Sequence, residues 1–234
     1  MSLNISHRPK YKYFQKLREN IFNNNKILKF KKRKWIDLIK RLNQSTKYNF
    51  FNHDLYHVSR RVKSLNHAHR TQLFTRQKLK IFYGNLPDAL LKNLCNKALV
   101  KSKVKSAQKK ASDFLLFSLE SRLDIVLYRS YFALSVHSAR QLIIHGNILI
   151  NYKKITLSNL ILKQGDLVQI SNNGKHLITR NILKSIVWPL PPAHLEISFK
   201  TLSFYFIENM KFAHLSNCYS FWLNLKSVFS FYEN

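Results

Sequence analysis

The chain has 234 residues and 40 Lys plus Arg against 11 Asp plus Glu, a formal charge of +29. A chain that repels itself this strongly needs a polyanion or a solvated tail to rest against. Its 45% hydrophobic content, with 17 Phe and 11 Tyr, excludes wholesale disorder. No charge-free apolar stretch of about 18 residues is present to span a membrane, and the lone, distant Cys95 and Cys218 exclude a disulfide framework.

Charge is unevenly placed: residues 1–110 hold 28 basic and 4 acidic side chains, residues 111–234 only 12 and 7. The amino-terminal half is therefore the expected main phosphate contact. Residues 1–34 read as an extended basic segment with Tyr11, Tyr13 and Phe14 interleaved. It closes in the run Lys29–Lys34, where Lys31, Lys32, Arg33 and Lys34 are candidate RNA contacts and a solvated charge run is the bland alternative. Trp35–Leu42 has helical periodicity, and between Asn43 and His69 little periodicity survives, so a loop is expected there. That loop contains His53, His57, His67 and His69, but no cysteine lies near and no carboxylate pairs with them. Ordinary polar histidines are expected and no metal site.

Arg76-Gln77-Lys78-Leu79-Lys80 forms a basic helical stretch that Tyr83-Gly84 closes. Pro87 precedes a helix over Asp88–Val100 with Leu90, Leu91, Leu94 and Ala98 on one side, followed by a cationic linker, Lys101–Lys110. Ser112 is the expected cap of a helix running through Glu120.

Residues 122–154 are the most informative part of the chain. Leu123, Val126, Leu127 and Tyr131 recur at three- and four-residue steps, a pattern that predicts a helix with Arg122 and Arg129 outside its apolar face. Ser135 is placed to cap a second helix whose Val136, Ala139, Leu142 and Ile143 face inward. Gly146 supplies its left-handed end, and His137, Arg140 and Gln141 look elsewhere. Arg140 and Leu142, two residues and about 200° apart, are expected on opposite sides. The period then changes to that of a strand at Ile148–Ile150, with a turn at Asn151-Tyr152-Lys153-Lys154 and another at Gln164-Gly165-Asp166 before the strand Leu167–Ile170. Asn172-Asn173-Gly174 reads as a turn, 178–188 as strand or helix, Ile197–Ile207 as strand-like, and Phe212–Tyr232 as an amphipathic segment. No glycine-rich phosphate loop or nucleophile elbow is present, and an enzyme is not expected.

In order and spacing, the stretch from Arg122-Leu123-Asp124 through Tyr128-Arg129, Ala139-Arg140-Gln141-Leu142, His145-Gly146, Ile148–Asn151, Lys153-Lys154 and Gly165-Asp166 resembles the αL-type RNA-binding domain of the uS4 family of small-subunit ribosomal proteins. Arg76–Gly84 resembles that family's basic helix, and 190–202 is similar to the ending of mitochondrially encoded plant and algal members. The family usually has Asn at Ile125 and Gly at Tyr131 and Tyr152; since a tyrosine at positive φ is strained, a different hairpin turn type is expected.

The resemblance implies an α+β fold in which a mainly helical domain flanks a compact αL module of two helices and a small β-sheet. The implied segments are a basic extension (1–34), a helical rRNA-binding domain (35–120), the module (121–183), and a carboxy-terminal segment (184–234) packing on the helical domain. It implies a non-enzymatic, cofactor-free constituent of the mitochondrial small subunit. Such a protein binds the 5′ domain of the rRNA, aids assembly, and lies by the channel through which mRNA enters, beside neighbours such as uS5 and uS3. Implied RNA contacts are Arg76, Lys78 and Lys80 in the helical domain and Arg122, Arg129, His137, Arg140, Gln141, His145, Asn151, Lys153 and Lys154 in the module. The scarcity of glycine, at 4, and the abundance of Lys, Asn, Ile, Phe and Tyr fit an A/T-rich organellar gene. Met1–Arg18 is basic and acid-poor like a transit peptide but lacks its serine-rich amphipathic character, so an rRNA-binding extension of a protein made in the mitochondrial matrix is the other reading. The rival is a non-ribosomal RNA-binding or RNA-modifying factor carrying an S4-type domain.

Overall fold

A computed structural model of the chain describes residues 11–17, 21, 29–46, 65–104, 110–184, 192–207, 219, 221 and 223–233. The chain divides into two units, one formed by Met1–Phe82 with Tyr219–Asn234 and the other by Tyr83–Cys218.

In the first unit, α1 (Lys12–Leu17), α2 (Arg33–Thr46), α3 (Leu65–Phe82) and α9 (Leu225–Glu233) are each amphipathic. Thr75, Leu79 and Phe82 form the buried stripe of α3, at helical steps of four and three. The carboxy-terminal helix α9 packs on α3, where the Arg76 guanidinium lies 4.2 Å from the Phe231 ring centroid. Phe82, Tyr219 and Phe221 form an aromatic triad with centroids 5.2–5.8 Å apart.

The second unit is α+β. Helix α4 (Asp88–Val104) buries Leu91, Cys95 and Ala98, and it packs on α5 (Ala111–Glu120), which is followed by α6 (Leu123–Arg129) and α7 (Val136–Ile144). Five antiparallel strands follow: β1 (Ile148–Ile150), β2 (Lys153–Ile155), β3 (Leu167–Ile170), β4 (Leu195–Ser198) and β5 (Ser203–Phe206), in the order β2-β1-β3-β5-β4. The sheet thus extends past 183, because alternating Phe204 and Phe206 bury one face of β5 against the core while Tyr205 stays outside. Helix α8 (Asn172–Lys184) sits between β3 and β4 in the chain.

Several local expectations are corrected. The stretch 43–69 is helical at both ends, through Thr46 and from Leu65, with 47–64 outside the described residues. Helix α4 runs on to Val104, since Lys101 and Lys103 suit the negative end of its dipole. Helix α5 starts at Ala111 after Lys110, whose backbone N–H donates to Asp113. Asn172-Asn173-Gly174 opens α8 rather than making a free turn: Gly174 lies so near Asn147 and Ile170 that a Cβ there would meet them at 3.0–3.1 Å. Tyr131, assigned to the apolar face of α6, lies beyond the helix and is 39% exposed.

Candidate nucleic-acid interface

The surface is built on α6, α7 and the β1–β2 hairpin. Ser135 caps α7 as its position predicts, its hydroxyl accepting from the Ser138 N–H at 3.2 Å. At the other end, Gly146 (φ +68°) donates to the Ile143 carbonyl and Asn147 to that of Leu142, the paired bonds of a Schellman motif. Val136, Ala139, Leu142 and Ile143 are buried. His137, Gln141, Ile144 and His145, at steps of four, three and one, are exposed along the opposite face.

This stripe continues onto the hairpin. A Cβ at Gly146 would fall 1.9 Å from Lys154 Cε, so the lysine stem lies across the glycine at the carboxy-terminal end of α7, where a cation is favoured by the helix dipole. Lys153 is exposed beside it.

The turn between the strands retains the tight two-residue geometry. Ile150 pairs with Lys153, and Asn151 (φ 47°) and Tyr152 (φ 66°) are both left-handed, the signature of a type I′ turn. The expected change of turn type is therefore corrected: register is retained and Tyr152 adopts the glycine conformation. Asn151 secures the bend, its Oδ1 accepting from the Leu167 N–H and its Nδ2 donating to Asp166, both at 3.0 Å.

The arginines are where expectation and structure part. Arg122 is buried rather than outside α6; it donates to both oxygens of Asp124, at 3.1 and 2.9 Å, and to Asn159 at 2.8 Å. Arg140 Nε reaches the same fully buried carboxylate at 2.8 Å, while its other nitrogens donate to the carbonyls of Gly84 and Tyr83 at 2.7 and 3.0 Å. Arg129 forms a fork on buried Glu120 at 3.0 and 2.6 Å, and the Tyr83 hydroxyl donates to that acid at 2.5 Å. Burial alone would push the Glu120 carboxyl up, but the Arg129 charge and the Arg129 and Tyr83 hydrogen bonds, helped by His194, hold it below its ordinary value. These two acids turn the arginines inward: Asp124 stands beside Arg122 in the family motif, whereas motif spacing did not single out Glu120. Arg140 is thus not a solvent-side counterpart of Leu142: it ties α7 to the Tyr83-Gly84 turn.

Burial, then the Arg140 charge, lowers the pKa of His137, so the stripe owes its positive charge mainly to the hairpin lysines. Cys95 is inert, its thiol pushed up to about 12 by burial. In the other unit, Lys31, Lys32, Arg33 and Lys34 are exposed, while Arg76, Lys78 and Lys80 are half-buried along α3. Tyr11, Phe30 and Trp35 pack edge to face there, and with Lys29, Lys31, Lys32 and Lys34 they line one recess. Of the histidines, His53 and His57 lie outside the described residues, and His69 packs against Phe231 with ring centroids 5.9 Å apart.

Comparison with known proteins matches the S4 domain to residues 121–168. The small ribosomal subunit protein uS4m of Marchantia polymorpha is 36% identical over 135 residues, which cover 56% of this chain and 64% of that protein. The uS4 protein of Pelagibacter ubique (strain HTCC1062) is 32% identical over 60% of this chain and 66% of its own length. That of Mesomycoplasma hyopneumoniae is 35% identical over 60% and 65%. The matched region spans slightly under two thirds of these relatives. The chain carries an S4 domain and is similar to uS4 proteins, a mitochondrial one among them.

Proposed function

We propose that this S4-domain chain is a structural, rRNA-binding constituent of the mitochondrial small ribosomal subunit. The observation that carries the reading is the continuous exposed stripe His137, Gln141, His145, joined to Lys153 and Lys154 where the Lys154 stem crosses Gly146. It is an exposed, largely polar stripe with two lysines at one end, suited to reading a folded RNA junction through phosphate and ribose geometry rather than base edges. Arg122, Arg129 and Arg140 act in this reading chiefly by fixing the frame, and Asn151 by fixing the hairpin. Lys31, Lys32, Arg33, Lys34, Arg76, Lys78 and Lys80 supply the larger phosphate contact from the basic half of the chain.

The finer assignment is what the family resemblance implies. The target is the 5′ domain of small-subunit rRNA; the chain aids assembly and lies by the channel through which mRNA enters, with neighbours such as uS5 and uS3, in the mitochondrial matrix. The role is architectural and requires no cofactor. Among the described residues no helix is long and apolar enough to cross a membrane. Gradient sedimentation of mitochondrial extract tests the reading: the chain co-migrates with the small subunit and is released by high salt. A chain that stays at the top of the gradient in low salt, with RNA-modifying activity or free RNA, would favour the rival, a non-ribosomal factor carrying the same domain.

A further inference from the structure

Tyr152 occupies the second position of the type I′ turn at φ 66°, a conformation that glycine adopts freely and a tyrosine only with strain. Such strain persists only where the surrounding structure over-determines it, here the two-residue register and the Asn151 hydrogen bonds, and it gathers at ligand-binding sites. The ring gains nothing internally: it is 77% exposed, and it has no hydrogen-bond, aromatic or cation partner among the described residues. A large apolar side chain at the tip of a two-residue turn projects away from the sheet, and it stands immediately beside exposed Lys153 and Lys154. Charge beside a flat, unpartnered π-face is the composition that binds unpaired nucleotides, the lysines taking phosphates and the ring taking a base. A protein partner would instead be expected to meet a broader apolar patch, and the hairpin tip is flanked by lysines and Asn151.

We infer that Tyr152 is a base-stacking residue, which seats an unpaired nucleobase of the bound RNA on the hairpin tip. The inference rests on the RNA-binding reading above and adds to shape recognition a contact with one extruded base. Because the left-handed conformation aims the ring outward, substitution by glycine removes the platform while relaxing the turn. Stability and affinity therefore move in different directions.

The test uses the full chain and two RNA probes: a perfect 20-base-pair duplex and the same duplex carrying one bulged 2-aminopurine. Wild type should prefer the bulged probe and quench its fluorescence on binding. Tyr152→Phe should keep both properties. Tyr152→Gly should weaken binding to the bulged probe roughly 5- to 100-fold, abolish the quench, leave affinity for the perfect duplex unchanged, and melt at the same or a higher temperature. Equal affinity and equal quenching for wild type and Tyr152→Gly would overturn the stacking assignment while leaving the phosphate-binding stripe standing. Failure of wild type to bind either probe at low salt would overturn the RNA-binding reading itself, and the stacking assignment with it.

Discussion

Arg140→Ala is the perturbation that separates a framework arginine from an RNA contact. The guanidinium donates to the Asp124 carboxylate and to the carbonyls of Gly84 and Tyr83. Its removal strips one of two cations from a fully buried carboxylate and leaves two carbonyls to find water. Breaking a buried pair costs about 3–5 kcal/mol, but Arg122 remains on Asp124 and the Arg140 side chain is 23% exposed. A loss of about 2–3 kcal/mol is therefore expected. For a unit spanning residues 83–218, unfolding entropy of about 2.1 cal/mol/K per residue converts this to a fall of roughly 7–10 °C in Tm. Thermal melts by circular dichroism read the shift, and filter binding at a temperature where both proteins are folded reads RNA affinity. Arg140→Lys should recover only part of the loss, since an ammonium cannot span three acceptors set in guanidinium geometry. A melting temperature within about 2 °C of wild type, together with a tenfold or greater loss of RNA affinity, would refute the reasoning and return Arg140 to the binding surface.

The remaining predictions concern charge and packing. Affinity for an rRNA junction should fall by roughly 10³ or more between about 50 and 200 mM salt if six or more phosphates are neutralised, and a flat titration would sink the phosphate-dominated interface. Lys153→Glu should weaken RNA binding with an unchanged melt, while Lys154→Glu should do so and also cost up to about 1 kcal/mol, because that lysine lies over the carboxy-terminal end of α7; equal, large destabilisation by both would make the pair structural. Leu142→Ala should cost about 2–5 kcal/mol through the cavity it leaves and affect RNA only through unfolding, as a melt and a binding assay at low temperature would separate.

Much of the module was legible because its signals are local. The Ser135 cap, the Gly146 end of α7, the Tyr83-Gly84 turn and the alternation at Ile148–Ile150 each depend on residues within a few positions of one another. What was hidden depends on partners far along the chain. The β3–β5 pairing joins Leu167 to Tyr205, and nothing local to 195–206 reveals which sheet those strands extend. The inward turn of the arginines had a readable cue in Glu120 and Asp124, which stand within two to nine residues of Arg122 and Arg129. Helical periodicity placed those arginines outside because it weighs only apolarity: a guanidinium with a buried carboxylate partner can occupy a core position that no hydropathy pattern assigns to it.

The same buried network makes an acid-stability prediction that tests it from another side. His194 is 5% exposed, packs its ring 6.0 Å from that of Phe206, and has no hydrogen-bond partner for Nε2 among the described residues. Burial is the leading cause lowering its pKa to about 4, with the nearby Glu120 opposing and Arg129 assisting. In the unfolded chain a histidine titrates near about 6.5, so between those values the unfolded state holds a proton that the folded state refuses. Stability is therefore fully present above about pH 6.5 and declines as pH falls toward 4, by on the order of 3 kcal/mol. Glu120, held low by Arg129 and Tyr83, extends the decline further: the unfolded carboxyl takes up its proton near about pH 4.3, and the folded one only below that. Denaturant melts from pH 7.5 to about 3.5 should show this slope, and His194→Gln should flatten its upper part, between pH 6.5 and 5, while Glu120 still governs the acid end below about pH 4.3. A wild-type curve that is level from 7 to 5, or a His194→Gln curve as steep as wild type, would mean that the histidine is protonated or solvated in the folded protein.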